Sequence, residues 1–360
     1  MSLINMARFF MLATVFALSS LAHAQCGAGT PDAAVTGTSN SYTAVRGPTI
    51  IYTGGDYRRA IQSALDAITS GQRVAVMASG SIGASTISIG SGKTFEGCGT
   101  INVANRKGYG AIESVNTVGA RIPYLTMTGD PYFGLRFYGT RDLFLGDITM
   151  RLSNGLGIRF DRDAAANSNV TMGTINITGA GSHAVETWNI DGLVIKEVIA
   201  RDVGECGLLL QKTTNARVGL VDGINVAAGT GYATFRMANN NGQLRNGHYS
   251  PANVFVERIV SRGGGRGIFC VSQSGAAVIE SIDLANNGNN AILIENCYNI
   301  EIRGGTISGG GEVRLSARDE FPGNRDLSIT LTVNDNTVRE SPCGANTRWN
   351  LSGNARKTLC

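Results

Sequence analysis

In the stretch GTGYATFRMANNNG, residues 229–242, Tyr232 and Arg236 share one parity of a β-like run, and three asparagines follow at once. Arginine presents a fork of donors that matches a carboxylate and keeps its charge throughout the working pH range. Lys212, just past Gln211, suits a base if Arg236 is near, because a neighbouring like charge disfavours the protonated amine. Tyr232 suits an acid. Together the three fit removal of a proton beside a carboxylate, with protonation of a leaving oxygen. Gln211 is placed to help hold the carboxylate, and Trp188 offers a flat face for stacking. Arg159, Asp161, Glu186, His248, Tyr249 and Arg266 complete the expected substrate contacts. Taken singly, Lys212 and Arg236 read as solvated surface charges and Tyr232 as a surface aromatic; only their convergence marks a site. His183 reads as a turn residue at a coil corner, and the run Asn239 to Asn241 as a turn device that tolerates left-handed backbone.

Such a cluster needs elements that repeat in register. Short runs with apolar alternation recur at GIRFDR (157–162), AVETWN (184–189), GLLLQK (207–212), YATFRM (232–237), GIFCVS (267–272), AILIEN (291–296) and EVRLSA (312–317). Measured at Phe160, Thr187, Leu210, Phe235, Cys270, Ile294 and Leu315, the steps are 27, 23, 25, 35, 24 and 21 residues, a solenoid period. Between them lie further β-rich stretches such as LVIKEVIARD and VFVERIVSRG, and no helical period intervenes. An all-β fold follows: a right-handed parallel β-helix whose coils stack at the strand spacing of about 4.8 Å. One outward column then reads Asp161, Trp188, Gln211, Arg236, Val271, Glu295, and the next reads Arg159, Glu186, Leu209, Thr234, Phe269, Leu293. A third, Gly157, Ala184, Gly207, Tyr232, Gly267, Ala291, sets Tyr232 among residues with almost no side chain. The longest step leaves an excess near Asn239 to Pro251, carrying His248 and Tyr249, as a wall over the same face.

The chain divides into a signal peptide (1–24), an N-terminal segment with a capping helix (25–75), the parallel β-helix (76–340) and a C-terminal cap (341–360). The signal is Arg8, the apolar run Phe9 to Leu21 and the small-x-small Ala22-His23-Ala24. DYRRAIQSALDAI (56–68) is the one amphipathic helix, with Asp56 as N-cap. A soluble secreted or periplasmic monomer is expected, without membrane contact. The 31 Lys and Arg balance 27 Asp and Glu with no basic clustering, which argues against nucleic acid as a partner. All seven cysteines lie beyond the signal, and the odd count leaves at least one unpaired. Cys343 with Cys360 is the favoured pair, Cys26 with Cys98 the next. No C-x-x-C spacing occurs, so a zinc or redox site is not expected.

On the signal peptide, the capping helix, the coil repeat over roughly 80–335 and the outward Lys/Arg/Tyr cluster, the chain resembles the secreted parallel β-helix polysaccharide lyases, the pectate and alginate lyase group. The resemblance is architectural: the WiDH and RxPxxR signatures of the main pectate lyases are absent, as is the NTD, DD and GHG set of polygalacturonases. It implies β-elimination on an acidic, uronate-containing polysaccharide such as alginate or pectate. Arg236 would neutralise the carboxylate, Lys212 take the C5 proton and Tyr232 protonate the leaving oxygen. No cofactor is expected. Calcium, which some of these lyases use, would find only Asp161 and Glu186 here. Two other readings stand beside it: a glycoside hydrolase using Asp161 and Glu186 as its carboxylate pair, and a non-catalytic solenoid that only holds glycan.

Overall fold

The structure, a computed structural model, describes residues 25–360; the expected signal peptide lies outside the described residues. The chain winds into a parallel β-solenoid of about 12 turns. The turns contribute one strand, or two where a strand is broken, to a 17-stranded sheet, called here the long sheet, which also includes N-terminal antiparallel strands, and most contribute another to a 12-stranded short sheet. The inward ladder of the long sheet runs Ile148, Ile175, Val198, Val221, Ile259, Ile282, each directly over the last and buried. β-Branched residues hold few rotamers and pack on a pleated surface, which is why such a ladder suits stacked strands.

The helix α1 (Tyr57–Ala67) forms where the sequence predicts it. Asp56 caps it, its Oδ1 accepting the Arg59 backbone N–H at 2.9 Å, and Ala60, Ile61, Ala64 and Leu65 turn to the core. Ahead of it lies an antiparallel meander of Ala33–Thr38, Ser41–Arg46 and Thr49–Gly54, absent from the expectation. Its first strand also pairs in parallel with Arg73–Val76, so the coil stack begins there. At the other end the tail is a further coil: Ala345–Ser352 pairs in parallel with Arg325–Asn334, and Arg356–Thr358 with Thr337–Glu340.

Cys26–Cys98 and Cys343–Cys360 are at disulfide distance as expected, Cys270–Cys297 is a third pair, and Cys206 is free and buried. Such pairs persist in oxidising compartments. Among the described residues no helix is long and apolar enough to cross a membrane.

Phe235 stacks on Leu208 and under Ile268, two residues away from the expected neighbour Leu210. A two-residue slip preserves parity, so the inward and outward assignments hold while every neighbour changes. Arg236 therefore sits between Leu209 and Phe269, with Gln211 opposite Ala238. Thr234 replaces Tyr232 in the column of small residues. That column is small for a backbone reason: a Cβ on Gly157, Gly207 or Gly267 would lie 2.4, 2.7 or 2.6 Å from the carbonyl oxygen of Ala184, Thr234 or Ala291. It marks where each coil bends into the short sheet, and the trough around Tyr232 is not formed.

Candidate functional site

The central outward column of the short sheet reads Glu113, Arg136, Arg159, Glu186, Leu209, Arg236, Phe269, Leu293. Its first half is a closed lattice of charge. Arg136 bridges Glu113 at 3.1 Å and Asp161 at 2.6 Å, and Arg159 bridges Asp161 at 3.2 Å and Glu186. Glu186 Oε1 also accepts from Trp188 Nε1 and Gln211 Nε2, both at 2.9 Å. Gln211 Oε1 in turn accepts from Asn239 at 2.6 Å. Carboxylates and guanidinia taken this far out of water need their partners, because losing one leaves a buried charge uncompensated. Trp188 is corrected by the same contacts: at 6% exposure its indole is a member of this lattice and offers no open face for a sugar ring.

Beyond Glu186 the pairing stops. Arg236 lies 4.9 Å from the Tyr232 ring centroid and 4.8 Å from that of Phe269, and its Nε is buried with no acceptor. Arg266 Cζ lies 4.7 Å from the centroid of the same Phe269 ring, its Nε donating to Asn290 Oδ1 at 3.1 Å and its Nη1 to the Gly231 carbonyl. Among the described residues neither arginine has an ion pair. Burial, and then the charge of Arg236, pull the Arg266 pKa below its ordinary value. Two neighbouring cations without an ion pair form an electropositive spot that favours a carboxylate.

Facing them is a corner column three residues ahead of Val185, Leu208 and Phe235: Ser182, Glu205 and Tyr232. Glu205 Oε2 accepts from Ser182 Oγ at 2.5 Å and lies 3.1 Å from His183 Nε2, while among the described residues no group bonds its Oε1. His183 Nδ1 accepts the Cys206 backbone N–H at 3.0 Å, which leaves the ring proton on Nε2. Its imidazole meets the Tyr232 ring edge-on at 5.3 Å. Burial raises the Tyr232 pKa, and Glu205 raises it further against the pull of Arg236. Alongside runs a groove of about 440 Å³ lined by Phe133, Leu156, Arg159, Ser182, His183 and Glu186.

Burial also lowers the pKa of His183, outweighing Glu186 and Glu205, which raise it; Arg236 and Arg159 lower it further. The folded protein then binds fewer protons than the unfolded chain below the ordinary histidine value of 6.5. This contribution to stability is whole above that pH and is lost as pH falls through the lowered folded value. Thermal melts between pH 7 and pH 5 are expected to show a falling midpoint, and His183→Gln to flatten that part of the curve.

Not every predicted residue arrives here. Tyr232, Arg236, Arg266, Arg159 and Glu186 do, and Asp161 joins through Arg159. Lys212 does not: it is exposed, with left-handed backbone at φ 44°, three positions along the strand from Leu209, the partner of Arg236. That is about 10 Å along the strand. It lines a separate hollow of about 360 Å³ with Arg162, Trp188 and Asn239. His248 and Tyr249 lie in a third hollow with Tyr298 and Arg325, so the insertion does not wall the Tyr232 corner. His183 and Glu205 were missed, although their distance to the next coil was in the numbering: His183 to Cys206 is 23 residues, one coil. Comparison with protein-family models, curated proteins and solved structures returns no match for this chain.

Proposed function

We propose that this is a secreted enzyme that cleaves a uronate-containing polysaccharide by β-elimination at the Glu205–Tyr232–Arg236 corner. One observation carries the reading: among the described residues Arg236 is a guanidinium with no ion pair and a buried, unpartnered Nε, and it lies directly against a phenol. A substrate carboxylate bound by Arg236 and Arg266 has its charge offset, which acidifies the adjacent C5 proton. Glu205 Oε1 takes that proton, because Ser182 and His183 occupy only the other oxygen. The C4–C5 double bond forms as the C4–O bond breaks, and Tyr232 gives its proton to the departing oxygen. His183 has no free lone pair and acts as a positioning residue for Glu205. Asp161 and Glu186 are both held by Arg159, so the carboxylate oxygen left to take a proton at this corner is Oε1 of Glu205.

Alginate, pectate, glucuronan and hyaluronate incubated with the protein test this through the far-ultraviolet absorbance of an unsaturated product. New reducing ends without absorbance would transfer the reading to hydrolysis, and neither signal on any glycan would leave a binding solenoid. The raised Tyr232 pKa has a consequence for the active polymer. An acid must keep its proton, so kcat/KM is expected to hold on the alkaline side until above pH 10, the ordinary tyrosine value. An alkaline limb that falls below that value would remove Tyr232 from the role.

A further inference from the structure

The insertion between the strands Ala233–Ala238 and Val254–Arg262 builds the third hollow, away from the groove. Tyr249, 5% exposed, leaves the loop to pack on Tyr298 at 5.0 Å between centroids, and its hydroxyl donates to the Gln273 carbonyl. Asn299 Nδ2 donates back to the Tyr249 carbonyl at 2.5 Å. The loop is thereby fastened over two successive coils and borders a half-open hollow of about 490 Å³, a volume within the range of small-ligand sites. Arg325 forms one wall. It follows Tyr298 in register, and its Cζ lies 3.8 Å from that ring centroid. Among the described residues its guanidinium makes no ion pair and no hydrogen bond, so its donors face the cavity unspent. Asp326 stands beside it with one oxygen held by Asn346 at 2.8 Å and the other free, and Asn299 keeps its Oδ1 free.

We infer that this cavity binds a single sugar-acid residue: its carboxylate on the Arg325 fork, its hydroxyls on Asp326 and Asn299 Oδ1. A planar fork beside two acceptors recognises a carboxylate carried on a polyhydroxylated ring better than a bare inorganic anion, which has no hydroxyl to donate. The anion site stands on this geometry alone; the choice of a sugar acid rests on the polysaccharide reading. The two fail separately, since the groove is read by unsaturated product and this site by titration.

The titration uses the protein carrying Arg236→Gln, which silences the Glu205–Tyr232–Arg236 corner. Galacturonate, glucuronate and mannuronate are compared calorimetrically with galactose, glucose and mannose. At least one acid is expected to fill one site while its neutral parent does not bind. Arg325→Gln is expected to weaken that acid at least about tenfold, with Arg325→Lys between the two. Should Arg325→Gln fail to fold, Asp326→Asn, on an exposed side chain, gives the same readout through the hydroxyl contacts. Binding of no acid, equal binding of acid and parent, or unchanged affinity in a folded Arg325→Gln or Asp326→Asn variant overturns the site.

Discussion

Arg236→Gln is expected to lower turnover of the responsive polymer by about 10²–10³, some 3–4 kcal/mol of transition-state stabilisation. Glutamine keeps much of the length and one pair of donors but loses the charge. Negative charge grows on the substrate carboxylate as the C5 proton leaves, so the missing interaction is largest in the transition state. The loss should therefore appear in kcat as well as in kcat/KM. Stability should rise or hold. Arg236 lies between two aromatic rings without an ion pair, and its buried Nε has no acceptor, so the folded chain carries it at a cost. A variant with full rate on a cleaved polymer would remove the corner from catalysis. A variant with lost rate and a lowered melting midpoint would make Arg236 a packing residue.

The second large effect concerns the stack that carries the site. Phe160→Ala is expected to destabilise the protein by about 3–5 kcal/mol. The ring is fully buried, 5.2 Å from Phe137 in the preceding coil, on the inward side of the strand that presents Arg159 and between Arg159 and Asp161 in sequence. Parallel coils cannot slide to fill the void without breaking the pairing of both sheets, so the cavity persists. Urea unfolding should show a lower midpoint at unchanged slope. Val194→Ala, on a residue 48% exposed, is the control and should stay within about 0.5 kcal/mol. A small loss at Phe160 would mean that the coils relax far more readily than close-packed strands do.

Some features of the site follow from local chemistry and were legible early. The solenoid and the outward placement of Arg159, Glu186 and Arg236 depend on periods of two and of about 25 residues, the capping helix on a helical period with its N-cap, and two of the three disulfide pairs on the positions of the cysteines, all written in the chain itself. The partners of those residues were not legible. Parity is blind to a shift of two, so Arg236 was set beside Gln211 when its neighbours are Leu209 and Phe269. Lys212 entered the cluster only through that misplaced row.

Trp188 shows the same division from another side. Its outward parity was right, yet outward on a stacked coil does not mean exposed, because the long side chains of adjacent coils cover one another. His183 and Glu205 lay at corners, where alternation gives no signal and only contact with the next coil reveals a role. The sequence by itself determined which side of the strand each residue occupies, since side-chain direction alternates with chain position alone. Only the tertiary structure decided which residues meet, since coil length varies from turn to turn and each insertion resets the rows above it.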